Sequence, residues 1–223
     1  MRFEKGRKET TRKRIIDVAS RRFRREGASA TGLAGIMAEA GLTNGAFYPH
    51  FESKEALFRE VLADALADQH VRFQQDKDAC SSLEGAIRRY LTKEHLENWE
   101  DGCPSAALLP EIGRQPKLTR EAYKNGLLPF ISTLAQQLPD PESEASNRRV
   151  LAIFGLMVGT LQMARAVRDF SIAEDILKSG MEAALILAKD LDPTVTHPAV
   201  DEANASSPRS PRSRIRKPAT RPK

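Results

Sequence analysis

Apolar residues recur at helical spacing along most of the chain. Ile15, Ile16, Ala19 and Phe23 form one stripe, which predicts a helix over roughly 10–26. Gly27 ends it, because glycine closes a helix readily in the left-handed conformation. Leu33, Ile36 and Met37 predict a short second helix after Thr31, and Gly41 breaks it. Thr43 is placed to cap a third short helix over 43–50, and Ser53 to cap a fourth with Glu55 in its first turn, where a negative charge suits the helix dipole. Leu57, Val61, Leu62, Ala65 and Leu66 give the fourth an apolar face that continues into the 70s.

A second helical set follows. Ser81 and Glu84 have capping-box spacing ahead of Ile87, Tyr90 and Leu91. Pro104 fits the first turn of a helix carrying Ala107, Leu108 and Glu111, which Pro110 should bend or shorten. Three more helices are predicted over roughly 117–138 (with a kink at Pro129), 144–168 and 172–188. No stretch alternates with period two, so the expectation is an all-α fold without a sheet. In that fold, an N-terminal three-helix unit (1–55) is joined through the fourth helix to a C-terminal helical domain (56–191). The last stretch, 192–223, is rich in Pro, Ser and Arg and is expected to be a disordered basic tail.

Charge changes the picture at one end. Residues 1–27 carry 11 Lys/Arg against 4 Asp/Glu, whereas residues 28–191 carry 17 against 23. A basic amino end on an acidic body points to a polyanion partner for that end alone. No apolar run long enough to span a bilayer is evident, and the basic N-terminus leads into no apolar signal core. The two cysteines, Cys80 and Cys103, make no disulfide framework. A cytoplasmic location is the expectation. The four histidines are scattered, so no metal site is predicted. No phosphate loop or nucleophile elbow appears, so neither an enzyme nor a cofactor is expected.

The second and third helices are short and meet at Glu39-Ala40-Gly41-Leu42, the spacing of a helix-turn-helix. Thr43, Asn44, Gly45, Tyr48 and His50 lie along the face of the third, and Lys54 opens the fourth. Arg12, Lys13 and Arg14 add positive charge from the first. The run TGLAGIMAEAGLTNGAFYPHFESKEALFREVL resembles the TetR family of transcriptional regulators. By that resemblance Thr43, Tyr48 and Lys54 are expected to contact phosphate, and Asn44 and Gly45 to face bases. Phe47 and Phe51 are expected to lock the third helix to the fourth. Pro49 departs from the family's common pattern: it removes a backbone bond to Gly45 and puts a base contact by His50 in doubt. The resemblance implies a homodimeric repressor of a palindromic operator, released by a small molecule.

The piece GCPSAALLPEIGRQ is similar to a subgroup of that family with a Gly-Cys-Pro turn opening the sixth helix. Cys103 at a helix start, with Lys93 and His95 upstream, is a candidate sensor thiol for an electrophile or oxidant; a packed structural thiol is the alternative. A pocket is expected from Phe73, Tyr90, Trp99, Leu108, Ile112, Tyr123, Leu127, Phe130 and Met163, favouring an apolar or aromatic effector. Leu156, Gly159, Met181 and Leu185 on the last two helices are expected at the dimer contact. A rival reading is a helical protein-binding module with no regulatory role.

Overall fold

The computed structural model describes residues 2–167 and 169–189, and every described regular element is helical. α1 (Arg2–Glu26), α2 (Leu33–Glu39) and a single 3-10 turn (Asn44–Ala46) precede the long α3 (Lys54–Gln75). Then come α4 (Lys77–Cys80), α5 (Leu83–Tyr90), α6 (Lys93–Glu97) and α7 (Pro104–Ile112). α8 (Lys117–Ala135), α9 (Glu144–Ala166) and α10 (Phe170–Lys189) complete the bundle. The expected tail, 192–223, lies outside the described residues.

Several starts follow the predicted chemistry. Ser53 Oγ accepts from Ala56 N at 3.0 Å, and Pro104 occupies the first turn of α7, where its missing N–H costs nothing. Others differ. Ser82, not Ser81, caps α5 by accepting from Gly85 N, while Ser81 Oγ donates back to Asp78 O and closes α4. Glu84 pairs with Arg88 rather than completing a capping box. α1 begins well before residue 10, and the short helices α4 and α6 carried too little periodic pattern to be read.

The third helix is the largest departure. Thr43 makes no side-chain cap, and only Asn44–Ala46 are helical, as one 3-10 turn. Pro49 has no N–H to donate to Gly45, so an α-helical ladder cannot close there. The segment instead closes tight turns, with Phe47 N donating to Asn44 O and His50 N to Phe47 O.

Two apolar clusters hold the bundle. The first unites Ile15, Phe23, Ile36, Met37, Phe47 and Leu57, all fully buried, and also takes in Leu108 and Ile112 from α7. Phe23 meets Phe58 edge-on at 5.5 Å, and Phe47 stacks on Phe51 at 5.5 Å. Each large side chain so buried contributes about 1.5–3 kcal/mol, which the short α2 and its neighbouring turn could not supply alone. The second cluster joins Ile87 of α5, Leu91 just after it, Ile131 and Leu134 of α8, and Val150 and Leu161 of α9. α9 is long and apolar enough to cross a membrane by length and composition, contrary to the expectation of no such run. Its Val150, Ile153, Phe154, Met157 and Leu161 nonetheless pack inside the second cluster.

Candidate nucleic-acid interface and effector cavity

The helix-turn-helix corner depends on two glycines with positive φ, Gly27 (85°) and Gly41 (64°). A side chain at Gly41 would also meet the Arg14 guanidinium, which lies 2.9 Å from where a Cβ would stand. Beyond this corner the chain presents Thr43, Asn44, Gly45 and Tyr48 to solvent, and Tyr48 is 70% exposed although its ring edge rests on Phe47. Polar groups face outward while Phe47 and Phe51 are buried. Lys54 is half-buried, its Nζ 3.5 Å from Ser29 O. His50 and Pro49 border a shallow depression with Arg7, Lys8 and Thr11. Burial first, then Lys8 and Arg12, press the His50 pKa below its ordinary value. Arg12 is committed elsewhere: its guanidinium lies 4.8 Å over the Phe51 ring and pairs with Glu60 of α3. It braces α1 against the start of α3, whereas Arg14 remains exposed.

A cavity of about 320 Å³ opens between α3, α5, α6, α8 and the turn before α7. Phe73, Tyr90, Phe130 and Cys103 line it. The other aromatic and apolar candidates lie elsewhere. Leu108 and Ile112 are consumed by the N-terminal core, and Tyr123 packs beside that core with its hydroxyl 3.0 Å from Ser105 Oγ. Trp99 lies under the Arg165 guanidinium, Leu127 packs on the second cluster, and Met163 is 61% exposed on the outside of α9. Charged side chains complete the wall instead: Arg72, Asp76, Arg89, Glu94 and Asp101. Sequence reasoning missed them because they fall on the polar faces of α3, α5 and α6 and in the segments that follow α3 and α6, where a solvated surface is the ordinary reading.

Cys103 is 4% exposed, and Gln69 Nε2 lies 3.5 Å from its Sγ. His95 does not supply the positive charge expected beside it. Its Nδ1 donates to Tyr90 O at 2.7 Å, which leaves Nε2 to accept from Cys103 N at 3.0 Å. That pattern requires the neutral ring. Burial, with help from Arg165 and Arg89, lowers its pKa to about 4. Lys93 is turned onto the Phe170 ring, 4.2 Å away. Arg165 from α9 closes the open end of α6 by donating to the carbonyls of His95, Leu96 and Asn98. The Cys103 turn is thus held from both sides. The Cys80 side chain lies outside the described residues.

The cavity reaches the N-terminal unit through α7. Cys103 at one end of α7 forms part of the cavity wall, and Leu108 and Ile112 at the other belong to the N-terminal core. Glu111 between them accepts from Ala28 N at 2.7 Å and Ser29 N at 3.0 Å, clamping the turn between α1 and α2. Arg24 of α1 donates to Gly102 O at 3.2 Å in the opposite sense.

Residues 15–61 match the model of the bacterial regulatory proteins of the tetR family. The N-terminal part of the chain is therefore similar to the tetR family. The matched residues span the three helical elements of the corner and the first part of α3. Over 51 residues the chain is 49% identical to the HTH-type transcriptional regulator AcrR of Shigella flexneri, covering 23% of this chain and 24% of that one. It is 38% identical over 84 residues to the HTH-type transcriptional regulator TtgR of Pseudomonas putida, covering 36% and 39%. The match therefore spans well under half the length of these curated relatives. Among solved structures, E. coli NemR in its reduced form superposes with a TM-score of 0.62 at 20% identity, over 77% of this chain and 95% of that one. At that identity the likeness extends the TetR-type fold to the C-terminal helices without carrying a function to them.

An outward face on α9 and α10 is left open. A Cβ at Gly155 or Gly159 would meet nothing within 4 Å, and Leu151, Met163, Ile186 and Leu187 are exposed around them. Leu156, Met181 and Leu185 are half-buried where these helices pack on the second cluster.

Proposed function

We propose that this protein is a transcriptional repressor that binds a palindromic operator as a homodimer and is released by a small-molecule effector. The observation that carries the reading is the exposed face of Thr43, Asn44, Gly45 and Tyr48, mounted on a core that matches the family's DNA-binding region. A two-fold pair of such faces suits two successive major grooves. The open apolar strip on α9 and α10 supports pairing there, because exposed apolar area of this kind is expensive to leave in water. The 320 Å³ cavity is within the size range of small-ligand sites and shares α7 with the DNA-binding core.

In this reading Tyr48 and Lys54 hold phosphates and Asn44 reads bases. On an operator selected from random duplexes, Lys54→Ala should weaken binding to every sequence by about the same factor, whereas Asn44→Ala should change the order of preference among operator variants. A changed preference in Lys54→Ala with unchanged overall affinity would contradict these roles.

Cys103 as the receiver of an electrophile or oxidant is a second reading, favoured by its place on the cavity wall. Its burial means that a reagent must enter through the cavity. Cys103→Ser should then keep operator binding and lose release by the reagent; release that persists in the variant rules the reading out.

A further inference from the structure

The cavity wall carries the guanidiniums of Arg72 and Arg89 and the carboxylates of Asp76, Glu94 and Asp101, and their pairing is uneven. Arg89 is satisfied, with Asp76 Oδ2 at 3.1 Å from its Nε and Glu94 Oε2 at 3.3 Å from its Nη1. Arg72 has no ion pair among the described residues, although it lines the same space. The turn at Gly102, also on the wall, holds a second guanidinium. Arg24 reaches it from α1, is only 7% exposed, and its single hydrogen bond is to the neutral Gly102 carbonyl. Its Nε is buried without a partner. Burial, and next the Arg72 charge, press Arg24 below the ordinary arginine range, while Asp101 and Asp68 act against this from beyond ion-pair distance. A buried guanidinium without a bound carboxylate is costly, and a second one nearby adds to the cost.

The opposite part of the cavity has a different character. Phe73 and Phe130 meet edge-on at 5.3 Å and present apolar surface with Ala79 and Ala86. The fully buried Tyr90 hydroxyl lies between these two ends, beside the Cys103 thiol.

We infer that the effector is a small organic acid, its apolar body on Phe73 and Phe130 and its carboxylate at the Gly102 end of the cavity, against Arg72, with Arg24 behind the Gly102 turn. This inference rests on the cavity being the effector site. It replaces the expectation of a purely apolar ligand with one whose negative charge is required. A carboxylate supplies the ion-pair partner that Arg72 lacks, and its planar pair of oxygens suits a guanidinium fork, a pairing that has to outweigh repulsion from Asp101 on the same wall. Because Arg24 of α1 holds the Gly102 carbonyl, a charge at this end of the cavity is felt through that turn by the helix that carries the DNA-binding core.

The test uses the full-length protein and a panel of probes, benzoate, 4-phenylbutyrate and octanoate, each paired with its neutral amide, followed by titration calorimetry. At least one acid should bind about tenfold or more tighter than its amide, the factor expected for a charge-assisted hydrogen bond. Arg72→Gln should remove that preference and leave amide binding unchanged, with circular dichroism confirming an intact fold. Arg24→Lys, which keeps the charge but shortens the donor, should retain part of the preference. Equal affinity for acids and amides, binding of no acid in the panel, or full acid preference in Arg72→Gln would overturn the inference. Operator binding without probes is measured separately. A protein that binds its operator but ignores acids loses only this inference, whereas one that binds acids and no DNA loses the repressor reading.

Discussion

Removing the Glu111 carboxylate should loosen the turn that sets α2 against α1. Both its oxygens are used, on Ala28 N at 2.7 Å and on Ser29 N at 3.0 Å, across a sequence gap of more than 80 residues. Hydrogen bonds to a charged group contribute about 1.5–3 kcal/mol each. Ser29 is exposed and its N–H can be rehydrated, so most of the loss falls on the buried Ala28. Glu111→Ala should therefore cost about 2–3 kcal/mol, and at about 2–4 °C per kcal/mol for a chain of this size the midpoint should fall by about 4–12 °C. Glu111→Gln keeps one accepting oxygen and should lose about half as much. Glu100→Ala is the control: the Arg25–Glu100 pair also joins α1 to the segment before α7, but both partners are open to water and its loss should scarcely register. Urea unfolding followed by circular dichroism measures all three, and anisotropy on operator DNA reads the turn's effect on the binding face. A Glu111→Ala protein as stable as Glu100→Ala, with unchanged operator affinity, would refute the role given to this clamp.

Two further outcomes follow from the same geometry. The unfolded chain takes up a proton on His95 near its ordinary value of 6.5, whereas the folded ring resists until about pH 4. Stability should therefore fall as pH drops through that window, by up to about 3 kcal/mol from this ring, and level off below it. His95→Gln should flatten that part of the stability–pH curve, and an unchanged slope would contradict the neutral-ring assignment. Gly159→Glu places a charge in the open strip on α9, where a Cβ meets nothing in the single chain, so the fold should persist. Sedimentation should show dimer dissociation increased about hundredfold or more, because a buried unpaired charge costs about 3–5 kcal/mol, and a dimer as tight as wild type would place the interface elsewhere.

How much of this was legible in the sequence depended on the range of the interaction. Gly27, Gly41, Ser53 and Pro104 act on residues within a turn of themselves, and each stands where local chemistry puts it. The third helix was misjudged because Thr43 resembles a cap while Pro49, six residues on, prevents the ladder that a cap would start. Ser81 and Ser82 differ by a single position that spacing could not decide. The Glu111 clamp, the Arg24–Gly102 contact and the charged cavity wall join segments far apart in the chain, and no periodicity encodes them. Arg24 stands in the run RRFRRE, where a solvated face is the natural reading, yet it is buried against the turn before α7. The aromatic candidates divided for a related reason. Phe73, Tyr90 and Phe130 converge on the cavity, while Trp99 and Tyr123, equally aromatic, were drawn to other partners, Leu108 went to the N-terminal core and Met163 faces outward.

The repressor account is tested most directly by the anisotropy of labelled duplexes titrated with purified protein across a range of salt concentrations. One duplex carries the region upstream of the protein's own coding sequence, and the other is a shuffled copy. The account predicts tighter binding to the upstream duplex at every salt concentration, with affinity for both falling steeply as salt rises, because neutralised phosphates release counterions. Equal affinity for the two duplexes throughout the titration would contradict it.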